Sequence, residues 1–347
     1  MTTTPFEMGL DTFGDIPTDD AGARLTDAAA IRQVVDEAVL ADRLGVDVFT
    51  VGEHHRADYA ISAPEVVLAA IAARTERMRV GTGVTVLSSD DPVRVYQRFA
   101  TLDAIAPGRA EVILGRGSFT ESFPLFGYDL ADYEVLFEEK LELFTRLRTE
   151  RPVTWTGAVR APLRDADVYP KTESGSIPTW IGVGGTPQSV IRAARHGLPV
   201  MLAIIGGDPA RFAPYVDLYR RAAEQFGTPP HALGMHSPGF VADTDHDAAE
   251  ILFPHFKENR DRIGAERGWP PLRRSDFVAE IQHGSLYAGS PETVARKIAA
   301  AVRTLGVRRF DMIYTAGPLP ASARLRAVEL YGSQVVPMVK EMLGEDA

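Results

Sequence analysis

The chain has 347 residues, 45% hydrophobic and 24% charged, with 37 Lys and Arg against 47 Asp and Glu for a net charge of −10. This is the composition of a globular protein with a large core, and its acidity, without any basic run, argues against nucleic acid as the main partner. The lack of cysteine excludes disulfides, thiolate nucleophiles and Cys-ligated metal, and it suits a reducing cytoplasm.

Met1-Thr-Thr-Thr-Pro-Phe-Glu7 has neither the basic start nor the apolar core of a signal peptide. The longest apolar run, near Val200 to Ile205, is far too short to span a bilayer, so no membrane partner is expected. One unit then recurs along the chain: an amphipathic helix, a glycine stop and an apolar strand. After an apolar run at Phe6–Leu10, Ile31, Val34, Val35 and Ala38 at helical spacing predict a helix over about Asp27 to Leu44. Gly45 stops it before the strand Val46–Val51, because the residue past a helix end often needs positive φ. A helix between Pro64 and Arg77 leads into Arg79–Leu87, and Pro107-Gly108 precedes Ala110–Gly115. Thr179–Val183 is followed by Gly197 before Leu198–Ile205, by a run at Gly239–Ala242, and by Gly306 before Phe310–Tyr314. Strands alternating with helices over a whole chain mean a parallel sheet with helices outside. Eight such units favour a closed (β/α)8 TIM barrel, an α/β fold, over an open sheet, and one barrel domain spanning residues 1–347.

Two stretches interrupt the alternation. Arg151–Ser176 reads as a loop or small hairpin inserted before strand five. Pro254–Gly289, with Trp269-Pro-Pro271 and Arg273-Arg274, reads either as an insertion after strand seven that covers the barrel mouth or as a plain surface excursion.

Candidate chemistry clusters at strand ends. Val51-Gly-Glu-His-His55 places titratable groups where a core strand stops, and polar groups there are costly to bury without a partner or a role. Adjacent residues of a strand point to opposite sides, so His54 and His55 rarely share one metal ion, and no metal is expected. A histidine acting as general acid or base fits better, since its pKa lies near neutrality. The plainer reading is one functional and one structural histidine, the latter paired with Glu53.

In Gly182-Val-Gly-Gly-Thr-Pro-Gln-Ser189, Thr186 is placed as an N-cap and Pro187 as the first helical residue. Glycines before free helix-start N–H groups suit a phosphate, although a merely capped turn accounts for Thr186 and Pro187 equally well. Arg116, between two glycines past strand four, can reach that phosphate or pair with a neighbouring carboxylate. Gly81 and Gly83 within a strand mark a bulge or the close approach of a flat ligand. Phe119, Phe123 and Phe126 suit an apolar pocket or the core.

Together, Val51-Gly-Glu-His-His55, Val80–Leu87 with Pro92-Val-Arg94, Gly115-Arg-Gly117 leading to Phe126-Gly127, and Gly184–Ser189 leading to Gly197-Leu-Pro199 resemble the bacterial luciferase-like flavin-dependent monooxygenases over nearly the whole chain. The resemblance implies a (β/α)8 barrel that binds reduced FMN at the carboxyl ends of its strands and reacts with O2, through a C4a-peroxyflavin, on a small organic substrate. It assigns the flavin phosphate to Gly184, Gly185, Thr186, Ser189 and Arg116. It assigns to Gly83-Val84 a bulge behind the ring, often with a non-prolyl cis peptide, and to His54 the catalytic position, with Glu53 orienting it. The luciferase has a reactive cysteine where this chain has Gly115, so light emission is not implied. A separate NAD(P)H:flavin reductase is expected, because no second nucleotide motif is evident, and the family commonly forms homodimers. Rival readings are an F420-dependent hydride-transfer barrel, a non-catalytic flavin-binding barrel, and a barrel for another phosphorylated ligand.

Overall fold

The computed structural model describes residues 5–117 and 119–344; Ser118, within the Gly115–Phe119 motif, lies outside them. Eight parallel strands close into a barrel: β1 (Glu7–Thr12), β2 (Val48–Val51), β3 (Arg79–Val86), β4 (Ala110–Gly115), β5 (Thr179–Val183), β6 (Val200–Ala203), β7 (Gly234–Val241) and β8 (Arg309–Ile313). Each pairs with the next, and β8 returns to β1, with Met8 opposite Phe310 and Leu10 opposite Met312. Helices between the strands bury one face against the barrel. The first, Asp27–Arg43, starts where Thr26 Oγ1 accepts from Ala29 N at 3.2 Å and buries Val34, Val35 and Ala38 of the expected stripe, with Ala30 buried and Ile31 half-buried against the core.

The amino ends of the strands are closed by buried charge rather than by apolar packing alone. Arg309, at the start of β8, donates from Nη1 to Glu111 Oε1 of β4 at 2.5 Å and from Nη2 to Asp311 Oδ2 at 2.7 Å. Arg79 of β3 makes a bidentate pair with Glu7 of β1 at 2.7 and 2.6 Å. Burial alone would raise the Glu111 carboxyl, but Arg309 and Arg79 outweigh it and hold the group below the usual range. Paired in this way, the charges offset much of their desolvation. The lower barrel is thereby plugged, which leaves the carboxyl ends for ligands.

The segment Arg151–Ser176 contains an antiparallel hairpin of Val153–Trp155 and Leu163–Ala166. The insertion after β7 packs against the loops at the mouth, and it does not begin at Pro254. Pro254 lies inside a helix, Asp245–Arg267, whose N-cap Thr244 accepts from Asp247 N at 3.0 Å. The far end of that helix reaches the loops after β2 and β4. Glu266 Oε2 accepts from Arg56 Nη1 at 3.0 Å, Arg262 pairs with Asp58, and the Arg267 guanidinium lies 5.1 Å from the Phe119 ring centre. Strand β7 also differs from expectation: it starts at Gly234, five residues before the predicted run at Gly239. No described helix is long and apolar enough to cross a membrane.

Candidate active site

A cavity of about 300 Å³ opens at the carboxyl ends of the strands. Its wall includes Glu53, His54, Gly83, Val84, Arg116, Gly184, Thr186 and Ser189, so residues from four separate stretches of sequence meet at one place. Gly185 is the member of the expected set that stands behind the wall. Its φ of +111° turns the chain, and its carbonyl accepts from Tyr215 OH at 2.6 Å.

The back of the cavity is built by glycines. The Gly83–Val84 peptide bond is cis, and the β3–β4 register shifts between Gly83 and Thr85, which is the expected bulge. The Val84 side chain fills a hollow between two neighbouring strands: a Cβ at Gly115 would stand 2.5 Å from Val84 Cγ2, and one at Gly182 would stand 3.0 Å from Val84 Cγ1. A Cβ at Gly83 would meet Asp11 Oδ1 at 2.8 Å and Thr50 Oγ1 at 2.9 Å. Gly115 thus has a packing role in this chain.

At one end of the cavity the helix Pro187–Arg195 begins, with Thr186 as N-cap. Thr186 Oγ1 does not cap the helix; it lies 2.8 Å from Ser189 Oγ and 3.5 Å from Arg116 Nη2. Arg116 lies over the Tyr133 ring at 4.8 Å and pairs with Glu134, which also accepts from Arg192 at 3.0 Å. Both readings of Arg116 therefore hold together: it has a carboxylate partner and it faces the helix start. A Cβ at Gly184 would meet nothing within 4 Å. Two hydroxyls, a guanidinium and an open glycine backbone at a helix start form a set suited to a phosphate.

At the other side stands His54, buried among Phe13, Tyr59 and Phe119 with ring centres 5.0, 4.4 and 4.8 Å away. Its Nδ1 is 3.5 Å from Glu121 Oε1. Glu53 does not orient either histidine; its Oε1 accepts from Val86 N at 3.1 Å. Burial, followed by the charge of Glu65, outweighs that bond and pushes the Glu53 carboxyl up to about 8, so it is largely protonated at neutral pH. Burial lowers His55, with Glu121 opposing. Glu121 is held low: burial would raise it, but the bond to His54 and backbone N–H groups prevail. His55 Nε2 and Ser122 Oγ, both on the cavity wall, are buried without a hydrogen-bond partner, and polar atoms so placed are ordinarily satisfied by something. The three phenylalanines separate: Phe119 lines the cavity, Phe123 is buried, and Phe126 is exposed with its ring 5.0 Å from that of His55.

Three wall residues carry no sequence motif. Glu121 follows β4, and Tyr133 donates from its hydroxyl to Gly117 O at 3.0 Å. His236, on β7, is buried, and its Nδ1 is 3.1 Å from Asp11 Oδ2. A histidine just before the expected run at Gly239–Ala242 was the available signal, hidden because Pro238 separates it from that run.

Comparison with known proteins agrees with this geometry. The family model described as luciferase-like monooxygenase matches residues 13–309. The 4-hydroxyprotoasukamycin monooxygenase of Streptomyces nodosus subsp. asukaensis is 31% identical over 320 residues, covering 85% of this chain and 83% of that protein. Among solved structures, the oxygenating constituent of 3,6-diketocamphane monooxygenase of Pseudomonas putida, in complex with FMN, superposes with a TM-score of 0.76 at 18% identity, covering 96% of this chain and 99% of that one. An F420-dependent secondary alcohol dehydrogenase, in complex with an F420-acetone adduct, gives a TM-score of 0.76 at 18% identity, covering 97% and 99%. With a family match over most of its length, the chain belongs to the luciferase-like monooxygenases.

Proposed function

We propose that the protein is a flavin-dependent monooxygenase that takes reduced FMN and O2 and oxygenates a small organic substrate. The observation that supports this most is that one cavity joins a phosphate seat (Arg116, Thr186, Ser189) to the glycine-backed Gly83–Val84 bulge and to His54. FMN carries a phosphate and a flat ring, and the two ends of the cavity suit one each. When bound, the flavin supplies the oxygen chemistry. The chain's own residues do the rest. Arg116 and the two hydroxyls hold the anionic tail, and Val84 supports the ring from behind. The helix Asp245–Arg267 covers the mouth and limits water. His54, beside Glu121, holds or moves a proton at Nδ1, and the protonated Glu53 is a hydrogen-bond donor to the cavity.

The cofactor arrives reduced from a separate NAD(P)H:flavin reductase, and we place the protein in the cytoplasm as one barrel domain that pairs into a homodimer. A second reading keeps the site and exchanges FMN for the deazaflavin F420, as the fold neighbour with an F420 adduct suggests. Mixing the protein with photoreduced FMN and following oxygen uptake and flavin absorbance separates the two. FMN-dependent oxygen consumption altered by the protein is expected. Indifference to FMN together with hydride transfer from reduced F420 would reverse the choice. His54→Ala should leave FMN binding nearly intact and cut turnover by about 10²-fold or more.

A further inference from the structure

His236 and Asp11 face each other across the floor of the cavity, on β7 and β1. His236 is 5% exposed and Asp11 is fully buried, yet His236 belongs to the cavity wall. Asp11 is held from both sides: Oδ2 lies 3.1 Å from His236 Nδ1, and Oδ1 accepts from Thr50 Oγ1 at 2.9 Å. Asp11 also sits directly beneath Gly83, so the pair reaches the base of the bulge. A carboxylate at Nδ1 fixes the tautomer: neutral His236 keeps its proton on Nδ1 and leaves the Nε2 lone pair as its free group. The other ionisable group beside the pair is Asp311, the register partner of His236 on β8, and it is committed to Arg309 at 2.7 Å. On β6 the register partner is Ala203, which carries no charge.

We propose that His236, set by Asp11, is a second proton-handling residue of this cavity, distinct from His54, which exchanges a proton with the ring system bound there. The inference rests on the flavin reading above. Nε2 would take a proton from an N–H that reduction adds to the ring: that N–H bond would break, its electron pair would stay on the ring as an anion, and the imidazolium would be held by the Asp11 carboxylate. Asp11 itself is a positioning residue.

The test is a pH titration of the full-length protein labelled with 15N-histidine, with the His236 signal identified by its loss in His236→Gln. It is repeated with saturating FMN and, anaerobically, with reduced FMN. Reduced FMN is expected to raise the His236 midpoint above its value with oxidised FMN, because the anionic ring formed by the proton transfer favours the imidazolium. Asp11→Asn, which keeps the size of the side chain and removes its charge, should abolish the cofactor-induced shift, a change that a merely structural contact would not produce. If Asp11→Asn does not fold, the cofactor-induced shifts in the wild type decide alone. Reduced FMN that binds, by its absorbance change, without raising the His236 midpoint above its value with oxidised FMN overturns this inference and spares the flavin reading. No FMN binding by the wild type overturns both.

Discussion

Glu53 Oε1 accepts from the backbone N–H of Val86 at 3.1 Å, tying the loop after β2 to the end of β3 beside the bulge. Its carboxyl is pushed up to about 8 from an ordinary value of 4.5, chiefly by burial. Between those values the folded protein holds a proton that the unfolded chain has released. Glu53 therefore contributes stability fully below about pH 4.5, and that contribution is lost as pH rises through about 8. Glu53→Gln cannot titrate. Thermal midpoints of the variant relative to the wild type should improve from pH 5 to pH 9, and a difference constant across that range would contradict the protonated carboxyl.

Gly115 and Val84 form a matched pair, since a Cβ at Gly115 would come within 2.5 Å of Val84 Cγ2. Overfilling a packed site costs about 1–3 kcal/mol. Gly115→Ala should destabilise by that order in urea unfolding, and adding Val84→Ala should recover part of the loss, the signature of direct contact in a double-mutant cycle. Strictly additive effects would mean that the two sites do not share the hollow.

The ion cluster that plugs the barrel floor gives a third expectation. Glu111 and Arg309 are each 1% exposed at the side chain. Removing one partner of a buried pair costs about 3–5 kcal/mol when the other charge is left alone; Asp311 still pairs with Arg309 at 2.7 Å, which makes that range an upper bound. Glu111→Gln should lower the urea midpoint accordingly. A loss below about 1 kcal/mol, the scale of a surface pair, would show that water reaches Arg309.

The parts of the fold that the sequence made legible are those where apolar runs and helix stops coincide. Val48–Val51, within the expected run Val46–Val51 after Gly45, and Ala110–Gly115 after Gly108 are strands because both of their faces are buried, β2 by the barrel interior and the surrounding helices. Strand β7 was opaque for the same physical reason in reverse. Its Gly234 and Gly239 admit Met201 and Met312, with sulfur atoms 3.0 and 2.5 Å from where a Cβ would stand, so close packing required the residues that read as breakers. Pro254 misled because a proline ten residues into a helix is rare. At the site, Arg116, Thr186 and Ser189 were legible because each belongs to a glycine-flanked turn at a strand end, which is a local motif. Glu121, His236 and Asp11 were not, since each acts through a partner distant in sequence, as 225 positions separate His236 from Asp11.

The central claim is that Arg116, Thr186 and Ser189 grip the phosphate of a flavin whose ring reaches His54. Calorimetric titration of FMN and of riboflavin into the wild type and Arg116→Ala tests it most directly. A charged hydrogen bond is worth about 1.5–3 kcal/mol, so the wild type should prefer FMN over riboflavin by about 10- to 100-fold, and Arg116→Ala should lose most of that preference while binding riboflavin as before. Equal affinity of the wild type for the two ligands, or equal weakening of both by Arg116→Ala, would contradict it.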